Sequence, residues 1–313
     1  MLEGIGLGLR QPIANDLFAM APPSLRWLEL HPENYLSSLG CGETAHFARG
    51  GKYATLLARA RERFPLLTHG LSMGFGSLSP FDADYLRGVR ALVRELGCPW
   101  HSDHLCFSSV DGVYLHDLLP LPRSEESVAL AVARIVEAQD ALGVPIAVEH
   151  ISYYATPPGS ELDEVEHLTA ILEGADAKLL LDVNNVFVNA MNHGFDPHTF
   201  IDRLPLDRVV QLHVAGHHVR ADGLRIDTHA EPIADEVFAL FAYTMDKLRR
   251  PLPVLLERDD HFPEFGVLVS EIERLDHIYR TALARVARAP SPAELSATTQ
   301  RDTGALAEPK GRP

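Results

Sequence analysis

The sequence predicts an α/β fold, a closed (β/α)8 TIM barrel. Three observations carry this expectation. Eight short apolar runs alternate with longer amphipathic ones along a chain of 313 residues. Several of the short runs are apolar at nearly every position, as strands covered on both faces must be. Their polar exceptions cluster at the C-terminal ends, where such barrels carry their chemistry. A doubly wound open sheet is the other arrangement of the same alternation.

Taken in order, the first strand is expected at Ile5–Arg10. Its Gly4-Ile-Gly-Leu-Gly8 stretch lacks the third, helix-opening glycine of a dinucleotide site, so close backbone approach in a barrel is the better reading. Trp27–Pro32 is the second strand. A helix over Ala45–Phe64 leads to the third, Leu66–Leu71. Phe81–Leu96 follows Ser79-Pro80, stops at Gly97 and leads to the fourth, Trp100–Phe107. The helix Ser124–Leu142 has Ser124 as N-cap, acidic residues in its first turn and Gly143 at its end. Pro145–Ile151 is the fifth strand. Glu161–Glu173, ending at Gly174, precedes the sixth, Lys178–Val183, and Val209–Val214 is the seventh. Pro232–Leu248 leads to the eighth, Pro253–Arg258, and the basic Lys247-Leu-Arg-Arg250 suits its C-terminus. Glu264–Arg288 closes the domain, expected to span residues 1–288. Residues 289–313, rich in Pro, Ser, Thr and Ala, read as a disordered tail.

The net charge of −15, without a basic stripe, argues against nucleic acid as a partner. Three scattered cysteines, Cys41, Cys98 and Cys106, make neither a disulfide framework nor a thiolate zinc site and fit a reducing compartment. No stretch is long and apolar enough to cross a membrane, and the first residues lack a secretory pattern. A cytoplasmic location is expected.

Histidine is the unusual count, at sixteen. Almost every strand ends in a metal-competent side chain: His31 and Glu33, His69, Asp103 and His104, Glu149 and His150, Asp182 and Asn185, His213 with His217 and His218, then Asp227 and His229, and Glu257 with Asp259. One histidine after an apolar run is more often a hydrogen-bonded core residue than a ligand. Carboxylates are costlier to bury, and Glu149, Asp182 and Glu257 converge where basic residues are few. They need cations or must share protons. Imidazole mixed with carboxylate suits iron, zinc or manganese better than calcium or magnesium.

These stretches resemble one family, the multinuclear non-haem iron-dependent oxidative enzymes that include MbnB and TglH. The resemblance is carried by Gly4–Arg10, Glu29–Tyr35, Thr68-His-Gly70, Ser102-Asp-His-Leu105, Val148-Glu-His-Ile-Ser152, Leu181-Asp-Val-Asn-Asn185, Gln211-Leu-His-Val-Ala-Gly216, Asp227-Thr-His229 and Leu256-Glu257. It extends to the last helix near Tyr279 and implies a xylose isomerase-like barrel. It implies that His69 and His104 hold one iron, with Glu149 bridging to a second held by Asp182, His213 and Glu257. Asp227 and His229, with Asn185, would hold a third. It further implies two or three Fe ions in a mixed-valent Fe(II)/Fe(III) state, O2 as co-substrate, and a ribosomally made precursor peptide as substrate. The residue modified would be a cysteine or, in one branch, a C-terminal aspartate. A small partner protein would recruit the leader peptide.

Relatives place Glu-Asn where this chain has Glu149-His150. His150 is a candidate donor to Glu149 or a contact to substrate; an ordinary loop histidine is the plain alternative. Asp103 and Glu33 could orient ligands or take a proton, or else pair with Arg10 or Arg258. A zinc-dependent hydrolase or isomerase on the same barrel is the competing function, and a non-enzymatic metal or peptide carrier a further one.

Overall fold

A computed structural model describes residues 2–36, 38–39, 46–47, 51–110 and 113–288. The barrel strands are β1 (Gly4–Gly8), β2 (Leu25–Leu30), β3 (Leu66–His69), β4 (His101–His104), β5 (Ile146–Glu149), β6 (Lys178–Asp182), β7 (Val209–Ala215) and β8 (Pro253–Glu257). They are parallel and close on themselves in chain order, β8 returning to pair with β1 through Leu7 opposite Leu256. All eight expected strands are present; six are shorter than the run that marked them, β2 is shifted by two residues, and β7 runs one residue further, to Ala215. The open sheet is excluded by the β1–β8 pairing.

The helices are α1 (Ala14–Met20), α2 (Gly51–Arg61), α3 (Ala83–Leu96), α4 (Glu125–Leu142), α5 (Glu164–Gly174), α6 (Val183–His193), α7 (Pro197–Arg203), α8 (Asp235–Leu248) and α9 (Phe265–Arg288). Ser124 caps α4 in a reciprocal box with Ser127, and Gly143 ends it in the left-handed conformation. Gly97 ends α3 in the same way. Two expectations need correction. The helix expected from Ala45 starts only at Gly51, because His46–Phe47 is a short strand paired with Ser38–Leu39. The fourth strand stops at His104, and Phe107–Val110 turns away to form a hairpin with Val113–Leu119. The proposed tail, 289–313, and Cys41 lie outside the described residues.

The glycines of β1 work as a close approach. A Cβ on Gly6 would fall inside the Trp27 indole, whose Nε1 donates to the Gly4 carbonyl at 2.9 Å. Below the mouth the core is apolar: Ile5, Leu7, Leu28, Val148, Leu179, Leu181, Leu212 and Val254 are all fully buried. Such a core fixes the strand register. His104 lies level with Glu149, and Asp182 with His213. No described helix is long and apolar enough to cross a membrane.

Candidate metal centre

At the C-terminal rim of the barrel, strand ends converge. His69 Nε2 and His104 Nε2 approach Glu149 Oε2 to 3.2 and 3.3 Å. Glu149 Oε1 turns the other way, 3.6 Å from His213 Nδ1, which is also 3.0 Å from Glu257 Oε2. Among the groups of potential ligand atoms that lie within 4.8 Å of one another are His69–His104–Glu149 and Glu149–Asp182–His213–Glu257. Glu149 belongs to both. A third cluster stands beside them, with His229 Nε2 2.9 Å from Asp227 Oδ1 and His229 Nδ1 3.5 Å from Glu257 Oε2.

The donors fit cations. Glu149 Oε2, Asp182 Oδ2, Asn185 Oδ1, His213 Nδ1, His229 Nε2 and Glu257 Oε2 are buried and make no hydrogen bond, however close their neighbours. Buried polar atoms are seldom left unpaired, and leaving a charged one so is costly. These atoms point inward, and their opposite ends are held. Asp182 Oδ1 accepts from Asn185 N at 2.8 Å, capping α6. Asn185 Nδ2 donates to the His150 carbonyl at 3.1 Å, which turns its oxygen inward. His69 Nδ1 meets Ser102 Oγ at 2.9 Å.

The titration pattern has the same origin. Burial lifts the Glu149 carboxyl to about 8, Glu257 and Asp182 adding to the lift against His104 and His213. Burial also lifts Asp182, to about 6, with Asp227 adding to it. Burial opposes the His104 imidazolium, but Glu149 and Asp103 outweigh it and bring His104 up to about 9. Burial likewise opposes charge on His213 and His229, yet their carboxylate neighbours hold both well above the usual value. A cluster of buried acids without metal must take up protons as its cations, and metal ions replace those protons.

Other expected residues sit differently. Asp103 Oδ2 accepts from Met73 N at 3.1 Å and its Oδ1 from His104 N at 2.7 Å, so it braces the loop after β3 and the backbone of His104. Glu33 Oε1 accepts from Leu71 N and Tyr85 Oη. Neither acid pairs with Arg10 or Arg258, contrary to the plain reading of both. Arg10 binds Asp259 at 2.6 Å, and Arg258 faces outward to Glu271 at 3.1 Å. His150 is 3% exposed, and both its ring nitrogens lack a hydrogen bond. It lines a small cavity of about 40 Å³ with Leu105, Arg123, Glu164 and His167. Burial lowers it to about 4, so it is neutral near pH 7. His217 turns inward onto Asn184 at 2.8 Å, while His218 stays exposed.

Three residues escaped the sequence reading. Asn184 Nδ2 donates to Asp227 Oδ1 at 2.6 Å and Ser152 Oγ to Asp227 Oδ2 at 3.2 Å, so both hold Asp227. Glu29 is fully buried under His213, with its Oε2 3.2 Å from His213 Nε2. Its signal was present: a lone acid inside Leu25-Arg-Trp-Leu-Glu-Leu30, where a barrel strand should be apolar.

Comparison with known proteins gives the chain a family and its barrel solved relatives. Residues 4–280 match the model of a family described as RiPP precursor modification enzyme MbnB/TglH/ChrH. A UPF0276 protein of Shewanella amazonensis is 38% identical over 283 residues, covering 90% of this chain and 96% of its own. One from Neisseria meningitidis serogroup C is 40% identical over 277 residues, covering 88% and 95%. Among solved structures, a xylose isomerase-like TIM barrel protein from Mycobacterium smegmatis, in complex with magnesium, superposes with a TM-score of 0.57 at 14% identity, covering 90% and 98%. An L-ribulose 3-epimerase superposes at 0.51 and 12% identity, covering 98% and 100%. At such identities these two speak for the barrel alone.

Proposed function

The chain belongs to the MbnB/TglH/ChrH family of RiPP precursor modification enzymes, and from that premise we propose that it is a multinuclear iron oxidase using O2 to modify a residue of a ribosomally made precursor peptide. Cysteine is the first candidate residue, and a C-terminal aspartate the second. The peptide is brought by a small partner protein that holds its leader, and the reaction runs in the cytoplasm.

The observation that supports this most is the shared carboxylate. Glu149 offers one oxygen to His69 and His104 and the other to the group around His213. In this reading His69, His104 and Glu149 hold one ion, and Glu149, Asp182, His213 and Glu257 a second. Asp227, His229 and the Asn185 amide oxygen hold a third. Bound iron supplies one-electron chemistry toward O2 and an electrophilic seat for a thiolate or carboxylate of the peptide. The protein's own residues do the rest. Asp103 fixes the backbone of His104 and so the height of its ring in the mouth. Asn184 and Ser152 hold both oxygens of Asp227. His150, neutral and unpartnered, offers a hydrogen bond to the peptide from beside the centre.

The test is metal analysis of anaerobically purified protein, followed by O2 uptake and peptide mass with a candidate precursor peptide ending in Cys or Asp. Two or more irons per chain and a peptide mass change coupled to O2 are expected. Zinc in the centre, with peptide hydrolysis and no O2 uptake, would instead establish the hydrolase.

A further inference from the structure

Two of the ligand histidines have a further carboxylate at their second ring nitrogen. His213 turns Nδ1 toward Glu149 and Glu257, while its Nε2 lies 3.2 Å from Glu29 Oε2. His229 turns Nε2 toward Asp227, while its Nδ1 lies 3.0 Å from Asp259 Oδ2, nearer than the 3.5 Å to Glu257 Oε2. The two carboxylates come from the strands on either side of β1, Glu29 from β2 and Asp259 from the segment after β8. Resting on the metal-centre reading above, we infer that Glu29 and Asp259 fix the tautomers of these histidines, and thereby decide whether the second and third ions can bind.

The argument for Glu29 turns on its neighbour. Gln211 Oε1 accepts from Trp100 Nε1 at 3.0 Å, which fixes the amide with its nitrogen toward the mouth floor. That nitrogen donates to Glu29 Oε2 at 2.5 Å and lies 2.9 Å from His213 Nε2. His213 Nε2 therefore has two possible partners. If it is bare, it accepts from Gln211, Nδ1 carries the proton and no ion can bind at Nδ1. If it keeps its proton, it donates to Glu29, and Nδ1 is the nitrogen that gives way to an ion. Glu29 Oε2 already accepts from the Gln211 amide, and a His213 Nε2–H at 3.2 Å gives it a second donor, so a carboxylate at this position favours the metal-competent form. Among the described residues no lysine or arginine hydrogen-bonds to Glu29, which leaves its Oε2 to Gln211 and His213.

Asp259 does the same from the rim and with a firmer grip. Arg10 Nε and Nη2 hold its Oδ1 at 2.9 and 2.6 Å, leaving Oδ2 for the imidazole. Its own backbone N–H donates to the His229 carbonyl at 3.1 Å. His229 has a φ of 49°, a conformation that a non-glycine residue adopts only when its surroundings impose it. Both the ring and the backbone of His229 are thus set by one residue.

Fe(II) titration under anaerobic conditions, with a competing chelator, tests this without any peptide. Glu29→Gln keeps the shape and removes the charge, and Asp259→Asn does so at the other histidine. Outer partners of ligand histidines are worth roughly 10- to 100-fold in metal affinity. Each variant is expected to weaken one ion by about that factor. The double variant is expected to weaken two, because the carboxylates serve different ions. Melting of the metal-free forms controls for folding, and the partly exposed Asp259 keeps the test valid if Glu29→Gln does not fold. Wild-type affinity and stoichiometry in both variants would overturn the inference. A wild-type protein that takes up no Fe(II) would instead overturn the metal-centre reading beneath it.

Discussion

Glu149 is the residue on which two ion sites depend, since its oxygens face separate groups. Glu149→Ala is expected to lose more than one ion per chain, measured by metal analysis after desalting. Loss of one ion or none would separate the two groups. His150→Ala is the companion: it lines its own small cavity and, among the described residues, joins no group of potential ligands, so metal content should be retained while peptide turnover changes. These residues were legible in the sequence because each acid or histidine ends an apolar run, a position with one direction to face. Glu29 was not legible by that rule, because it lies before the strand end. Asp103 follows the rule and still gives its carboxylate to backbone N–H groups, which the side-chain pattern cannot reveal.

At the scale of elements, the barrel strands were read correctly for a physical reason: both faces are buried, so their composition is nearly uniform. The helices on the C-terminal rim were harder. α6 begins directly after β6, and its sequence Val-Asn-Asn-Val-Phe-Val-Asn is poor in strong helix formers. Tertiary burial supports it, for every residue from Val183 to Ala190 is buried. The signals available were the Asp182 cap and the left-handed Gly194 at its end. α5 offers a prediction of its own. Burial raises Glu164, in its first turn, to about 7, against Tyr153, Arg123 and Asn189. An acid raised in the folded state binds its proton more tightly there than in the unfolded chain. Its contribution to stability is complete below about pH 4.5 and is lost as pH rises through about 7. Glu164→Gln keeps the neutral form at every pH. Its stability advantage over wild type should grow from pH 5 to pH 8, reaching at most about 2 kcal/mol given the side chain's partial solvent contact. Parallel urea melts of the two proteins at both pH values check this, and a constant difference would place the Glu164 proton in solvent.

At the scale of the whole molecule, the barrel mouth is a place where the fold is incomplete without cations. Glu29, Glu149, Asp182, Asp227, Glu257 and Asp259 gather there, and Arg10 is the guanidinium among the described residues that reaches them. The chain carries a net charge of −15, so the surrounding field adds to the strain rather than relieving it. Without metal, the mouth must hold protons on groups that burial disfavours charging, and it does so at a cost to folding. Ions that bind the native mouth and not the unfolded chain return that stability by mass action, about 2.7 kcal/mol for each ion present at a hundredfold excess over its Kd. In a domain of this size one kcal/mol moves Tm by roughly 2–4 °C, so stripping one tight ion should lower Tm by about 5–10 °C. Thermal melts of the Fe(II)-loaded and chelated protein, both anaerobic at pH 7.5, measure the difference directly. Glu149→Ala should abolish most of it, since that variant has no bridging carboxylate to lose ions from. An unchanged Tm on chelation would mean that the mouth's acids and imidazoles satisfy one another, and the convergence at the strand ends would then be a hydrogen-bonded lid on the core.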